Sequence, residues 1–411
     1  MRIVIHSYAY HPDTSAAARR FIGLGECLAS MGHEVDVICA YPDYVDGKRR
    51  KWWRDLSSHE IINGVRVHRY FTVPFYKGGT VRRLLNHYSY RFSSGLARLE
   101  GKVDVLITTA PPLISCKVAV KLAKKFGCKL VYDVRDIWPD VAIEMGAFKE
   151  DDFKARSFRR IAELLYKKAD LVTTVSEMKV KTLSKHLEKY GKEATLISNG
   201  VDEFFINQEP DAAFLNEFGF DKYFSVVHVG NVGKAQDIDS LLDLASEHKQ
   251  NENIRFFLLG DGVLLKHILE RIENEALTNV VYCGRRNMRE CFTALKYAKL
   301  SYISLVNENL KDSVPTKLFE TLYTGCPCIL SACGESVKIL EESKFGLASH
   351  PADKQALRRN FTWMLEHYDE IYANREHCYD YIDKNFNRKN ISKKLVEELE
   401  RLVNEEREAV K

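Results

Sequence analysis

Short apolar runs alternate with segments of helical spacing along almost the whole chain. Arg2–His6 is a brief apolar run that predicts a strand, and Thr14–Met31 follows with helical periodicity and a Gly32-His33 stop. Glu34–Cys39, Val103–Thr109, Lys129–Val134, Leu171–Val175 and Thr195–Ser198 read as further strands, while Val65–Tyr70 alternates and predicts a less buried one. Helices are predicted over Leu113–Phe126 and Phe153–Lys168. The second half repeats the logic, with strands at Ser225–Val229, Arg255–Leu259, Val280–Cys283, Leu300–Ser304 and Cys328–Ser331. Between them lie helices such as Asp237–Glu247, Leu264–Glu275 and Thr316–Tyr323, and helical spacing runs from Lys354 to the end.

Apolar strands separated by helices predict a parallel sheet covered on both faces. Two such series predict an α/β protein of two Rossmann-like, doubly wound domains. The weakly patterned stretch Glu203–Lys222, with Pro210, marks the linker. The expected boundaries are residues 1–204, residues 205–385, and a C-terminal helix over 386–411 that returns to the first domain.

Composition narrows the class. The 411 residues are 45% hydrophobic and 29% charged, which excludes collagen-like, low-complexity and largely disordered chains. No apolar run approaches the roughly 18 residues of a membrane span, and no signal-peptide pattern opens the chain, so the expected location is cytoplasmic. Ten cysteines, mostly single and in apolar settings, read as reduced core residues. Cys326, Cys328 and Cys333 lack partners at zinc-like spacing, and no metal site is expected. Charge is unevenly divided. Residues 1–200 hold 34 Lys and Arg against 22 Asp and Glu, a balance of +12, which leaves −8 for the rest. The halves therefore meet different partners, and an anionic membrane surface or nucleic acid suits the basic one.

In open α/β sheets ligands bind beyond the carboxyl ends of the strands. Gly230-Asn231-Val232-Gly233-Lys234 follows the Ser225–Val229 strand and leads to Asp237, a candidate helix cap. Glycines that admit a close ligand, a lysine and a helix N-terminus together fit a diphosphate. Neither a Walker A loop nor G-x-G-x-x-G is present, which argues against a nicotinamide dehydrogenase. After Leu300–Ser304, Pro315, Thr316 and Lys317 open a helix whose free amides favour an anion, and Glu320 stands one turn on. Alone, a single Glu on a helix is usually a solvated face. Lys129–Val134 runs into Asp133, Arg135, Asp136, Trp138 and Asp140, an unusual density of carboxylates at a strand end. The segment Gly47–Arg54 sets Lys48, Arg49, Arg50, Lys51 and Arg54 around Trp52 and Trp53, and Tyr76–Arg98 mixes Arg82, Arg83, Arg91 and Arg98 with apolar residues. Cations beside aromatics suit a headgroup surface.

Taken in order, IHSYAYHPDTSAAARR, VYDVRDIWPD, ISNGVD, HVGNVGKAQDIDSLL, LLGDG, VVYCGRRN and VPTKLFETLYTGCPCIL resemble the retaining glycosyltransferases of family 4, especially their bacterial capsule and O-antigen branch. The resemblance implies the GT-B fold, two Rossmann-like domains facing a cleft, and a UDP-sugar donor gripped by the second domain with no bound metal or other cofactor. It implies a donor site of Asn231, Lys234, Gly260, Asp261, Arg285, Asp312, Pro315, Thr316, Lys317, Leu318 and Glu320. Within that set Lys234 and Lys317 reach the diphosphate, Thr316 adds a hydroxyl, Glu320 holds the ribose and Arg285 lies against the base. The family's pair of Glu residues appears here as Asp312 and Glu320, with a shortened first arm. Arg135 stands where many relatives have a His, and Ala16-Ala17-Ala18 replaces the usual glycine-rich first loop.

Lys234, Asp136, Asp133 and Arg135 are the catalytic candidates, the Asp residues orienting acceptor or sugar. Trp138, Arg49, Arg50, Trp52, Trp53, Arg82 and Arg83 are the candidates for acceptor or membrane contact. The expected function is transfer from a UDP-sugar to a polyprenyl-diphosphate-linked glycan in cell-surface polysaccharide synthesis, at the inner face of the cytoplasmic membrane and without nucleic acid. The alternatives are a GT-B nucleotide-sugar epimerase or hydrolase, and a non-enzymatic membrane- or nucleic-acid-binding protein.

Overall fold

A computed structural model describes every residue except 14, 43, 46–47, 50–55, 75–78, 145, 203–204, 206 and 410–411, and side chains are also left undescribed at 44–45, 48–49, 80 and 405–409. The chain divides into two compact units, Met1–Ser198 with Ile391–Lys411, and Asn199–Asn390.

The first unit is built on an eight-stranded sheet. From edge to edge it runs Ala194–Leu196, Leu171–Thr174, Lys129–Val134, Val105–Ala110, Arg2–His6, Glu34–Ala40, Val65–Tyr70 and Ser57–Ile62. Every pairing is parallel except the last. The Ser57–Ile62 strand is absent from the predicted elements, although the turn that makes it carries a signal. Asn63 and Gly64 both have positive φ, 48° and 81°, the geometry a two-residue hairpin needs. The region read as one helix over Leu113–Phe126 is two, Leu113–Cys116 and Ala119–Phe126.

Apolar clusters cover both faces of this sheet. One includes Ile391, Leu395, Leu399 and Val403, spaced by four on the Arg388–Ala409 helix, together with Ile3, Ile5 and Phe21. That stripe is why the C-terminal helix belongs to the first unit.

The second unit has six parallel strands in the order Val280–Gly284, Ile254–Leu259, Phe224–Val229, Leu300–Ser304, Cys328–Ser331 and Gly346–Ser349. Numbered along the chain this is 3-2-1-4-5-6, the doubly wound order, and its switch point lies between Phe224–Val229 and Leu300–Ser304.

The unit boundaries differ from those read in the sequence. Segment 199–202 pairs with the end of the second unit: Val201 N–H donates to Phe386 O at 2.9 Å, Arg388 N–H donates to Val201 O at 2.9 Å, and Arg388 Nε meets Asp202 Oδ1 at 2.7 Å. Nor do the described residues of 203–222 form a linker. Phe205, Phe214 and Phe220 are buried in the core of the second unit.

Among the described residues no helix is long and apolar enough to cross a membrane. All ten cysteines are free thiols, and Cys326 and Cys328 are buried.

Candidate functional site

The loops leaving the switch point of the second unit carry most of the predicted residues. The Phe224–Val229 strand ends at Gly230, whose N–H donates to Leu259 O at 2.8 Å. A Cβ on Gly260, where φ is 152°, would lie 1.8 Å from Gly230 O, and one on Gly262 would lie 2.1 Å from Val232 O. Only glycine permits loops 230–233 and 260–262 to stack backbone on backbone. Val232 ties them further, donating to Asp261 O at 3.0 Å and accepting from Leu264 N–H at 3.1 Å. Asp261 turns back on itself, accepting from Gly262 N–H at 2.7 Å. Asn231 and Lys234 are exposed beside this floor.

Asp237 caps the Ile238–Glu247 helix, accepting from Ser240 N–H at 3.2 Å, and its own N–H donates to Ser304 Oγ at 3.0 Å. Val306 N–H donates to Ala235 O at 3.0 Å, so the loop after Leu300–Ser304 is fastened to the loop after Phe224–Val229. Further along, a Cβ on Gly334 would lie 2.1 Å from Lys311 O, and Ser336 Oγ donates to Ser313 O at 2.9 Å. These contacts fix segment 311–315, which holds Asp312 half-buried. Pro315 is the N-cap of the Thr316–Tyr323 helix and provides no side-chain cap, which leaves first-turn amides open to an anion.

Lys317 is the distinctive group. A Cβ on Gly230 would stand 3.8 Å from its Nζ, so the lysine reaches the end of the Phe224–Val229 strand. That Nζ is sealed from water and has no hydrogen-bond partner among the described residues. Burial pushes the ammonium down to about 8. Behind it His228 is fully buried, with Nδ1 3.3 Å from Tyr302 O. Burial first, and the Lys317 charge second, hold its imidazole well below the ordinary value and therefore neutral. His228 is not among the residues expected from the sequence; its one signal is a lone polar residue inside an apolar strand. A buried ammonium without a partner is unfavourable, and what offsets it is an anion.

Glu320 is only 5% exposed, so the solvated-face reading of this residue fails. It is buried one turn beyond Lys317, beside Leu318 and Phe319. Leu318 is corrected as a site residue: its side chain is fully buried in the core and its N–H donates to Pro315 O at 3.0 Å, so it offers a ligand no polar contact. Arg285 is exposed just past the Val280–Gly284 strand, and the stacked loops meet that strand where Gly260 N–H donates to Gly284 O at 2.9 Å.

The strand ends of the first unit require more correction. Asp133 is buried in an ion pair with Arg20, whose Nη2 lies 2.8 Å from Oδ1 and Nε 3.2 Å from Oδ2. Thr173 and Thr109 also donate to it, at 2.9 and 3.3 Å. A carboxylate so enclosed is structural and does not meet an acceptor. Arg135 is tethered too, with Nε 3.0 Å from Thr109 Oγ1 and Nη2 2.5 Å from Pro111 O. Trp138 packs its ring against Phe148 and Phe158, at 6.2 and 5.6 Å between centroids, rather than standing out as a contact residue. Of the two candidate catalytic carboxylates Asp136 is the accessible one, 39% exposed and 4.0 Å from Lys179 Nζ.

Arg82 and Arg83 are exposed on the Thr80–Ser94 helix. Arg50, Trp52 and Trp53 lie outside the described residues. Arg49 pairs through its backbone with Tyr44 in a two-stranded ribbon, and its side chain is likewise outside them.

Comparison with known proteins assigns both units. Residues 15–200 match the glycosyl transferase 4-like domain, and residues 213–385 match the glycosyl transferases group 1 domain. A probable glycosyltransferase, WbjE, of Pseudomonas aeruginosa is 25% identical over 66% of this chain and 68% of its own. A putative colanic acid biosynthesis glycosyl transferase, WcaI, of Escherichia coli is 24% identical over 81% of this chain and 83% of its own. Among solved structures, sucrose-phosphate synthase from Thermosynechococcus elongatus superposes with a TM-score of 0.76 at 16% identity, covering 98% of each chain. Anabaena HepE in complex with UDP-glucose gives 0.68 at 15% identity, over 97% of this chain and 99% of its own.

Proposed function

The chain is a glycosyltransferase of the GT-B fold, a glycosyl transferase 4-like domain followed by a group 1 domain, and we propose that it moves a sugar from a UDP-sugar to a lipid-linked glycan in cell-surface polysaccharide synthesis. The observation that carries the donor class is the sealed Nζ of Lys317 beside Gly230, without a hydrogen-bond partner among the described residues, where a diphosphate supplies the missing negative charge. UDP-glucose in HepE and the colanic acid name of WcaI support the nucleotide and the pathway class.

As the glycosidic bond breaks, charge accumulates on the oxygens of the departing diphosphate. Lys317 from below, Lys234 from the exposed side and the open first turn of the Thr316–Tyr323 helix stabilise that charge. These groups take the part a divalent cation plays elsewhere, so no metal is required. Glu320 holds the ribose hydroxyls, Arg285 lies along the base, and Asp312 and Thr316 border the sugar and phosphate. Transfer is retaining: the acceptor hydroxyl attacks from the face the leaving group vacates, and the departing phosphate takes its proton. Asp136 orients the acceptor. With Asp133 confined to its ion pair and Arg135 tethered, neither takes a chemical step. The acceptor is a glycan on a polyprenyl diphosphate at the inner face of the cytoplasmic membrane, in keeping with the +12 balance of residues 1–200.

Calorimetric titration with UDP, GDP and ADP tests the donor class. UDP binds at least about tenfold tighter than the others if the reading holds, and equal affinity for all three removes the uridine assignment.

A further inference from the structure

The Thr80–Ser94 helix is amphipathic with its apolar side outward. Its inward face is polar: Asn86, Tyr90, Ser93 and Ser94 are all buried. Asn86 accepts from Tyr8 OH at 2.6 Å and donates to Val73 O at 2.7 Å. Tyr90 OH donates to Ile38 O at 2.9 Å and Ser93 Oγ to Phe71 O at 2.6 Å. Hydrogen bonds therefore fix which side of the helix faces the unit. On the other side Val81, Leu85, Tyr88 and Phe92 are 72%, 55%, 51% and 74% exposed, and Leu96 just beyond is 62% exposed. Spacings of four, three and four place them in one stripe.

The charged residues of this segment are all cationic. Arg82, Arg83 and Arg98 are exposed and Arg91 half-buried, and no Asp or Glu occurs between Glu60 and Glu100. We infer that this helix lies in the plane of an anionic lipid leaflet, with the apolar stripe among the acyl chains and the arginines at the headgroups. A second copy of the chain is the poorer occupant, because a two-fold contact sets four arginines against the same four. An uncharged partner surface leaves the arginines unmatched. The inference rests on the lipid-linked acceptor proposed above and locates the surface that brings the enzyme to it. Tyr90, an aromatic of the same Tyr76–Arg98 stretch, is no part of the stripe and belongs to the buried anchor.

The test is co-sedimentation of the full chain with vesicles of phosphatidylcholine alone and with about one-third phosphatidylglycerol. Binding is expected to be at least about tenfold stronger to the anionic vesicles and to weaken as salt rises. Leu85→Glu with Phe92→Glu is expected to reduce it at least about tenfold while melting temperature and UDP affinity stay at parent values. Loss of UDP binding in the parent, with vesicle binding intact, counts against the proposed activity and not against this surface. Full vesicle binding by the double variant overturns the inference, as does equal binding to both vesicle types or none to either. A concentration-dependent dimer that the same substitutions dissolve, without vesicle binding, assigns the stripe to a second copy and overturns it equally.

Discussion

A Cβ on Gly230 would stand 3.8 Å from the Nζ of Lys317, so the glycine ending one strand and the lysine opening a distant helix face the same small space. The two are brought together by the switch point of the sheet. Lys317→Met removes the buried charge and keeps the shape. It is expected to leave the ligand-free protein as stable as the parent, or more stable by about 1 kcal/mol, because an unpaired buried ammonium is unfavourable. UDP affinity is expected to fall at least about tenfold. Urea denaturation and calorimetry read the two effects separately. A less stable protein with unchanged UDP affinity makes Lys317 a packing residue.

The same lysine sets a pH dependence. Burial lowers its pKa to about 8 from the ordinary value of 10.5, so between those limits the unfolded chain holds more protons than the folded one. Stability of the ligand-free protein is therefore expected to rise as pH climbs from about 8 towards 10.5. UDP binding runs the other way, since the anion needs the protonated lysine, and affinity should drop by up to about tenfold per unit above that value. Both trends vanish in Lys317→Met. Affinity that stays flat from neutral pH to well above 8 contradicts the diphosphate contact.

Asp133 and Asp136 stand three residues apart and are expected to separate cleanly. Asp133→Asn leaves the Arg20 guanidinium buried without its counter-ion, a change expected to cost about 3–5 kcal/mol. Asp136→Asn lies in half-exposed surroundings and should hardly move the melting temperature, while transfer falls with UDP affinity intact. Reversed results would return catalysis to Asp133.

Gly260→Ala tests the stacked loops. The new methyl would lie 1.8 Å from Gly230 O at a φ of 152°, so strain and clash act together. Destabilisation of about 3 kcal/mol or more is expected in urea denaturation, with UDP binding lost alongside. Parent-like stability would mean the two loops separate easily.

The parallel strands were legible because each is a short apolar run, and the place of the candidate donor site because Lys234, Lys317 and Glu320 follow strands. What the pattern could not supply was long-range pairing. Arg20 and Asp133 are 113 positions apart, and nothing local in either segment announces that one neutralises the other. Three carboxylates at one strand end therefore read as chemistry, when one is structural. The packing of Trp138 was likewise hidden, since Phe148 and Phe158 meet its ring from the region that follows. Glu320 was ambiguous because a single polar position has no periodicity of its own, and only its burial decides. Segment 199–202 escaped the boundary because its partners, at 386–388, lie at the far end of the second unit.

The central claim is sugar transfer from a UDP-linked donor, and product analysis tests it most directly. A panel of UDP-sugars, each labelled in the sugar, is incubated with the enzyme and polyprenyl-diphosphate glycans, followed by extraction and anomer assignment by NMR. The account predicts one UDP released per sugar transferred, label in the lipid-extractable glycan, and the anomeric configuration of the donor kept in the product. UDP released with only free sugar, or label recovered solely as an isomerised UDP-sugar, would contradict it.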